Sequence, residues 1–481
     1  MPYTPTPEQE ACITAAKTTQ ANLLISALAG AAKTSTLVLM ANALQGKPIL
    51  SLAFNKRIAE EMKTRLPPWC ECLTLNSLGH RVWSKAIGKS RMIVDTEKGA
   101  KLLKEYIAAI KNQTKKDIFH DAYGELLKLY RLAKSAGYIP ATHSNHSKSL
   151  TPDFFEIQDE EIQLEFKLCI DSMLNSSIKQ AYGAIIDYDD QLYMPTLFGG
   201  TFPSYPIIMV DEAQDLSPLN HEMINKLVGT RNRIIAVGDP NQAIYGFRGA
   251  QASGMESMEE RFNMTRLPLT ISFRCPKEVI RNVHWLVPDM SWPSWAEEGL
   301  VRTHHTWDTS TIPDGAAVIC RNNSPLFWLA FQLIKQGRGV KLIGADIGPQ
   351  LVRVLKKFGD ENTPQKVVFE KIEEWVKEQS KRVKSKTTLE DKAECLRIFA
   401  SQGNTLYQII FYAEKVLKQD GPIELMSGHK AKGLEYDIVF HLDPFRCRPR
   451  EGENDQENNV KYVIDTRAKK ELHYIIKEEF A

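Results

Sequence analysis

Short apolar runs alternate with amphipathic stretches along the first 80 residues. A helical pattern at 7–18 precedes an apolar run at 22–27. Then come a helix at 33–44, a run at 49–54, a helix at 56–65 and a run at 73–76. That alternation predicts a parallel sheet with flanking helices. Residues 96–182 change character, with amphipathic patterns at 96–111, 117–135 and 159–181 and few strand signals, and they read as a helical insertion. Strand signals return at 205–210 and 233–237, both ending in Asp-containing turns. A further α/β region has runs at 267–271, 316–320, 340–343 and 437–442, interrupted by a helical block at 349–418. Pro- and Ser-rich stretches at 136–153 and 287–314 read as loops. The fold class is therefore α/β, with two parallel-sheet units that each carry a helical insertion. The expected boundaries are 1–90 with 183–265 for the first unit and 91–182 for its insertion. The second unit takes 266–348 with 419–481, and its reduced insertion takes 349–418.

Two motifs sit on this pattern where nucleotide chemistry needs them. The run at 22–27 leads into Leu28-Ala29-Gly30-Ala31-Ala32, and Lys33-Thr34 opens the next helix. A strand, a small-residue loop and a helix starting with Lys-Thr form a phosphate cradle. Backbone N–H groups and the helix N-terminus receive the anion, the lysine neutralises the terminal phosphates and the hydroxyl ligates Mg²⁺. The usual pattern is G-x-x-x-x-G-K-S/T, and here Ala27 and Ala32 hold the two glycine positions. Taken alone, such a loop is equally an ordinary strand–helix turn, and Ala32 is strained if the loop requires φ > 0. The second motif is Ile207-Ile208-Met209-Val210-Asp211-Glu212, an apolar strand that delivers one carboxylate for Mg²⁺ and one to polarise water. Each motif raises the weight of the other.

Composition narrows the classes. With 43% hydrophobic and 25% charged residues, the chain has the make-up of a globular protein. The formal charge of +2 means that a phosphate-binding surface must come from local patches. Lysine-rich stretches at 101–134 and 366–392 are candidates, although solvated helix faces account for most such lysines. Of the eight cysteines only Cys70 and Cys72 lie close together, and no second pair completes a four-ligand metal site. No apolar run approaches the ~18 residues of a membrane span, and the N-terminus lacks the form of a signal peptide. A cytoplasmic or nucleoid-associated location is expected.

Further motifs follow in order. They are Gly238-Asp239-Pro240-Asn241-Gln242-Ala243-Ile244-Tyr245-Gly246-Phe247-Arg248-Gly249-Ala250, Ser272-Phe273-Arg274-Cys275-Pro276, Gly428-His429-Lys430-Ala431-Lys432-Gly433-Leu434-Glu435 and Tyr462-Val463-Ile464-Asp465-Thr466-Arg467-Ala468. From Gln9 to Lys470 the set resembles the UvrD/Rep/PcrA group of superfamily 1 DNA helicases. Its wording is most similar to phage UvrD-like and F-box DNA helicase branches.

The resemblance implies two RecA-like P-loop domains that use ATP and Mg²⁺. Lys33, Asp211, Glu212, Gln242, Arg274 and Arg467 take the catalytic positions, the two arginines as fingers on the phosphates. Gln9, Ala29, Gly30, Ala31, Ala32, Lys33, Thr34, Ser35, Phe273, Gly433 and Glu435 fall at nucleotide-binding positions. Gln9 would read the adenine edge and Phe273 would stack on its face, while Thr34 and Asp211 would hold the metal. Phe54, Asn55, Lys56, Thr74, Asn76, Ser77, Tyr245, Phe247, Arg248 and His429 match DNA-contacting positions, where aromatics supply base platforms worth about 1–3 kcal/mol each. Asn76 stands where the family often has His. Asp187-Tyr188-Asp189-Asp190 resembles a further segment near the DNA channel. The implied substrates are single-stranded DNA and single/double-strand junctions, with 3′→5′ movement. The alternative is an ATP-gated DNA-binding or remodelling subunit of a repair, recombination or phage-defence complex, without autonomous unwinding.

Overall fold

The computed structural model describes residues 4–53, 55–150, 160–229, 232–244, 254–344, 347–380, 386–448 and 456–481. They form two compact units. The first runs to Leu269 except for Ala29–Ala31, which cluster with the second, Thr270–Ala481.

The first unit opens with α1 (Pro7–Thr18), β1 (Asn22–Ala27), α2 (Lys33–Ala43), β2 (Ile49–Ala53), α3 (Lys56–Arg65), β3 (Cys70–Thr74) and α4 (Leu75–Ala86). A helical block follows: β4 (Ile93–Val94), α5 (Lys98–Ala109), α6 (Gln113–Asp121), α7 (Tyr123–Ala136), α8 (Glu160–Tyr182), β5 (Ile185–Ile186) and α9 (Asp190–Leu197). The chain then returns through β6 (Ile207–Val210), α10 (Pro218–Leu227), β7 (Arg233–Gly238), α11 (Gly254–Phe262) and β8 (Met264–Leu269). Six strands form one parallel sheet in the order β3-β2-β6-β7-β1-β8. Every residue of β2, β6 and β7 is buried, as expected of strands covered on both faces, and this is why they read as unbroken apolar runs. Because all strands are parallel, the loops after β1, β2, β3, β6 and β7 leave from one edge, where ligands bind in such sheets. The helical block has its own core, with Leu103, Phe119, Leu126, Phe166 and Ile170 fully or nearly buried.

The second unit comprises α12 (Lys277–Val283), β9 (Leu300–Thr303), β10 (Ala317–Cys320), α13 (Ser324–Lys335), β11 (Val340–Ile343), α14 (Ile347–Leu355), α15 (Gln365–Ser380), α16 (Lys386–Ala400), α17 (Leu406–Leu417), β12 (Ile423–Ser427), α18 (Gly428–Ala431), β13 (Tyr436–Leu442), α19 (Gln456–Asp465) and β14 (Ala468–Ile475). Its sheet is also parallel, ordered β11-β12-β10-β13-β14-β9. Helices α14 to α17 share a single core with this sheet, in which Ile372, Phe399 and Ile409 pack with Val318, Leu425 and Phe440. The second insertion is thus fused to its sheet, whereas the first has a separate core.

Several expectations need correction. The strand foreseen at 267–271 is Met264–Leu269, and it pairs with β1, so the change of unit falls after Leu269 and not at 265/266. The run at 73–76 is strand only to Thr74, and Asn76 lies in the first turn of α4. The pattern at 117–135 breaks at Ala122 into two helices, beside Gly124, which weakens a helix by about 1 kcal/mol relative to Ala. The supposed loop at 287–314 contains edge strand β9. In the block at 349–418, Lys356 pairs with Glu414 and Lys371 with Glu374 on the surface. Among the described residues no helix is long and apolar enough to cross a membrane.

Most lysines of the stretch at 101–134 were read as solvated, yet Lys134 at its end, and Lys98 just before it, are buried with Asp187 and Asp190. Asp189 sits beside this cluster, and burial, reinforced by Asp187, pushes its carboxyl up to about 6 from 3.8, against the opposing pull of Lys134 and Arg131. The folded state therefore holds a proton between pH 4 and 6 that the unfolded chain has lost. Stability from this group declines as pH rises through that window and stays reduced above it. Asp189→Asn is expected to unfold later than the parent in urea at pH 7.5, by about 2 kcal/mol, with the difference shrinking toward pH 5. Equal midpoints at pH 7.5 would contradict this assignment.

Candidate functional site

The loops on the common edge of the first sheet bring five expected residues together. Lys33 is the first residue of α2, and its Nζ lies 3.2 Å from Glu212 Oε2. Thr34 Oγ1 donates to Asp211 Oδ2 at 3.2 Å, and the Glu212 N–H donates to Asp211 Oδ1 at 2.9 Å. Gln242 lies in the turn after β7, where its Nε2 donates to Asp239 Oδ2 at 2.8 Å.

Asp239 stood within a motif without a role, Gln214 was not singled out, and the two complete the site. Asp239 is fully buried. Its N–H donates to Gln214 Oε1 at 3.0 Å, while Gln214 Nε2 donates to Glu212 Oε2. Gln214 therefore links the carboxylate after β6 to the turn after β7. A Cβ at Gly238 would stand 2.6 Å from Gln214 Oε1, so a side chain there would displace this amide. The signal available in the sequence was an Asp closing an apolar strand.

Electrostatics follow from one ammonium among three carboxylates. Burial pushes Asp211 up to about 7, and the neighbouring Glu212 adds to this, against Lys33, the Glu212 N–H and the Thr34 hydroxyl. Asp239 is raised by burial, with Lys33 opposing. Burial alone would lower Lys33, but Glu212, Asp239 and Asp211 outweigh it and hold the ammonium above its ordinary value.

Two backbone positions carry strain. Ala32 caps α2 at φ 55°, ψ 40°, the left-handed region, so the loop does require the conformation that glycine adopts freely. Glu212 has φ 53° and ψ 46°, also left-handed. Such outliers concentrate at functional sites. Gly30 is left-handed as well, at φ 74°.

The remaining nucleotide positions are more dispersed. Gln9 is buried, with its carboxamide donating to Thr36 Oγ1 at 3.0 Å and accepting from the Thr6 N–H at 3.1 Å. It thereby caps its own helix. Ser35 Oγ accepts from the Arg65 guanidinium at 2.7 Å. Ala29, Gly30 and Ala31 cluster with the second unit. In that unit Phe273 lies 6.3 Å, ring to ring, from exposed Trp295. Arg274 Nε donates to Glu435 Oε2 at 2.7 Å. Arg467 is buried, and its guanidinium donates to the carbonyls of Val463 and Leu434 at 2.8 and 3.1 Å and to Thr466 Oγ1 at 3.1 Å. Gly433 next to Leu434 has φ 82°. Asp465, which ends α19 just before Arg467, accepts from His441 Nδ1 at 2.8 Å and from the Tyr474 hydroxyl at 2.9 Å.

DNA-assigned residues also gather at the loop edge of the first sheet. Asn55 caps α3, accepting from the Ile58 N–H at 2.9 Å, and Lys56 follows it, exposed. Thr74 caps α4, accepting from the Ser77 N–H at 3.1 Å. Asn76 Nδ2 donates to the Tyr188 carbonyl at 2.7 Å. His429 lies on α18 of the second unit. Phe54, Tyr245, Phe247 and Arg248 fall outside the described residues.

Among the described residues, no group of three or more His, Cys, Asp or Glu side chains is arranged to hold a metal. The Thr34 hydroxyl and Asp211 carboxylate form a hard oxygen pair that fits Mg²⁺, an ion that keeps phosphate and water among its ligands.

The UvrD/REP helicase N-terminal domain family matches residues 6–263, and the UvrD-like helicase C-terminal domain family matches residues 369–479. The chain is 25% identical over 500 residues to F-box DNA helicase protein 1 of Schizosaccharomyces pombe, covering 94% of this chain and 55% of that protein. It is 26% identical over 495 residues to F-box DNA helicase 1 of Gallus gallus, covering 93% and 46%. To ATP-dependent DNA helicase Rep of Buchnera aphidicola it is 25% identical over 306 residues, covering 56% and 45%. The chain thus spans about half the length of these relatives.

The strain at Ala32 has a measurable consequence. Left-handed backbone costs an L-residue about 1–2 kcal/mol, and part of that gain is offset by the freedom of glycine in the unfolded chain. Ala32→Gly is expected to raise unfolding stability by about 1 kcal/mol and to leave nucleotide affinity near the parent value. Loss of stability on this substitution would show that the Ala32 methyl group contributes more packing than the strain removes.

Proposed function

Because this chain belongs to the UvrD/REP helicase family, we propose that it is an ATP-dependent DNA helicase that moves 3′→5′ on single strands and couples hydrolysis to duplex unwinding. The observation that carries this reading is the cluster of Lys33, Thr34, Asp211, Glu212, Asp239 and Gln242 on the sheet edge that also bears Thr74, Asn76 and Ser77. One edge then serves both phosphate chemistry and a polynucleotide.

Each residue has a chemical task. Lys33 neutralises the β- and γ-phosphates, and Thr34 and Asp211 hold Mg²⁺. The metal, when bound, supplies positive charge to the phosphate oxygens. Glu212 orients water and takes its proton. Gln242 senses the γ-phosphate, and Gln214 ties that sensor loop to Glu212 through Asp239. Arg274 and Arg467 stabilise charge developing in the transition state, a role worth about 10³-fold or more in rate. Phe273 stacks on the base.

The direct test is strand displacement on duplexes carrying a 3′ or a 5′ single-stranded tail. The proposal expects ATP-dependent displacement from the 3′-tailed substrate. Glu212→Gln, which keeps the volume and removes the base, should bind nucleotide normally and lose about 10²-fold or more in turnover. Hydrolysis without displacement on either substrate would favour the ATP-gated remodelling alternative.

The two arginines should separate in a second experiment. Arg274→Ala removes a partly exposed ion pair with Glu435, of small worth to stability, so hydrolysis should fall while the melting temperature holds. Arg467→Ala leaves buried carbonyls without their donor, so both turnover and melting temperature should drop. Parent-level hydrolysis in either variant would remove that arginine from the site.

A further inference from the structure

The geometry points to Lys98 and Lys134, two buried lysines of the helical insertion, as positioning residues for the nucleic-acid face at the start of α4. This inference rests on the DNA-binding reading above.

Lys134 Nζ donates to Asp187 Oδ2 at 2.8 Å, Asp190 Oδ1 at 2.6 Å and Ser177 Oγ at 3.1 Å, and lies 4.4 Å from the centre of the Tyr130 ring. Lys98 Nζ donates to Asp190 Oδ2 at 2.6 Å and to the carbonyls of Ser177 and Ile185, both at 2.9 Å. The turn 187–190 is also closed on itself. The Asp190 N–H donates to Asp187 Oδ1 at 2.7 Å, and the Asp187 N–H donates to Asp190 Oδ2 at 3.0 Å. Two ammonium groups from α5 and α7 thus balance two carboxylates on the turn that starts α9. Buried pairs of this kind add little net stability over well-packed apolar groups, and fixing a unique geometry is the better account of them.

The fixed turn reaches α4 by two routes. Its Tyr188 carbonyl accepts from Asn76 Nδ2 at 2.7 Å. The Gln191 carbonyl oxygen lies 1.9 Å from where a Cβ on Gly79 would stand, so α9 and α4 meet backbone to backbone with no room to slide. The first turn of α4, with Thr74, Asn76 and Ser77, is therefore held in place by charges that lie inside the helical insertion. No phosphate chemistry passes through these lysines, so they act on DNA binding and not on the ATP site.

The test measures binding of a fluorescent oligothymidylate by anisotropy, together with ATP hydrolysis in the absence of DNA. Lys134→Met combined with Asp187→Asn removes one charge of each sign and keeps the Lys98–Asp190 pair, so the core stays balanced. This variant should bind the oligonucleotide about tenfold more weakly, with DNA-free hydrolysis and KM for ATP unchanged. Binding within about twofold of the parent would overturn the inference. If the charge-balanced variant does not fold, Gly79→Ala tests the same link with the lysines intact. It should reproduce the weaker binding, and parent-like affinity would overturn the inference. Parent protein that binds no oligothymidylate would overturn the DNA reading and this inference with it, whereas failure in the variants alone overturns only the inference.

Discussion

One ammonium group, that of Lys33, faces three carboxylates, two of them fully buried. The imbalance constrains everything built around it. In the proposed mechanism a triphosphate would enter with a divalent cation, for which the Thr34 hydroxyl and the Asp211 carboxylate are the fitting oxygen pair. Burial, with the neighbouring Glu212 adding to it, pushes Asp211 up to about 7.

The scaffold solves this problem with parallel sheets. The fully buried central strands β2, β6 and β7 carry only two polar side chains, Ser51 and Arg233, and the candidate site is delivered by loops at one edge. Left-handed backbone at Ala32 and Glu212 is the local cost of bringing the loop before α2 and the carboxylate after β6 together. Gln214 adds a link that turns separate loops into one hydrogen-bonded unit.

Legibility in the sequence followed burial. Strands β1, β2, β6 and β7 were readable because both faces are covered. Edge strands β8 and β9 were misplaced or missed because their exposed positions carry Thr265, Arg266 and Arg302, and Pro268 is tolerated there. Strand β14 begins with exposed Lys469 and Lys470 and does not look apolar until its second half. At the site, Lys33, Thr34, Asp211 and Glu212 were legible from motif spacing and Gln242 from the family resemblance. Gln214 and Asp239 were not, because their roles lie in bonds to other side chains. The burial of Lys98 and Lys134 was invisible because helix periodicity reports which face a residue occupies and not which partner waits there. Gln9 shows the reverse case, since the same carboxamide that suits adenine recognition also satisfies a helix cap.

The central claim is that the phosphate site and the nucleic-acid face are coupled through one sheet edge. The most direct measurement is the steady-state rate of ATP hydrolysis by the parent protein with and without single-stranded DNA, in the presence of Mg²⁺. The account predicts slow hydrolysis alone and a marked rise in kcat on adding the single strand. A rate that does not respond to DNA at saturating concentration would contradict it.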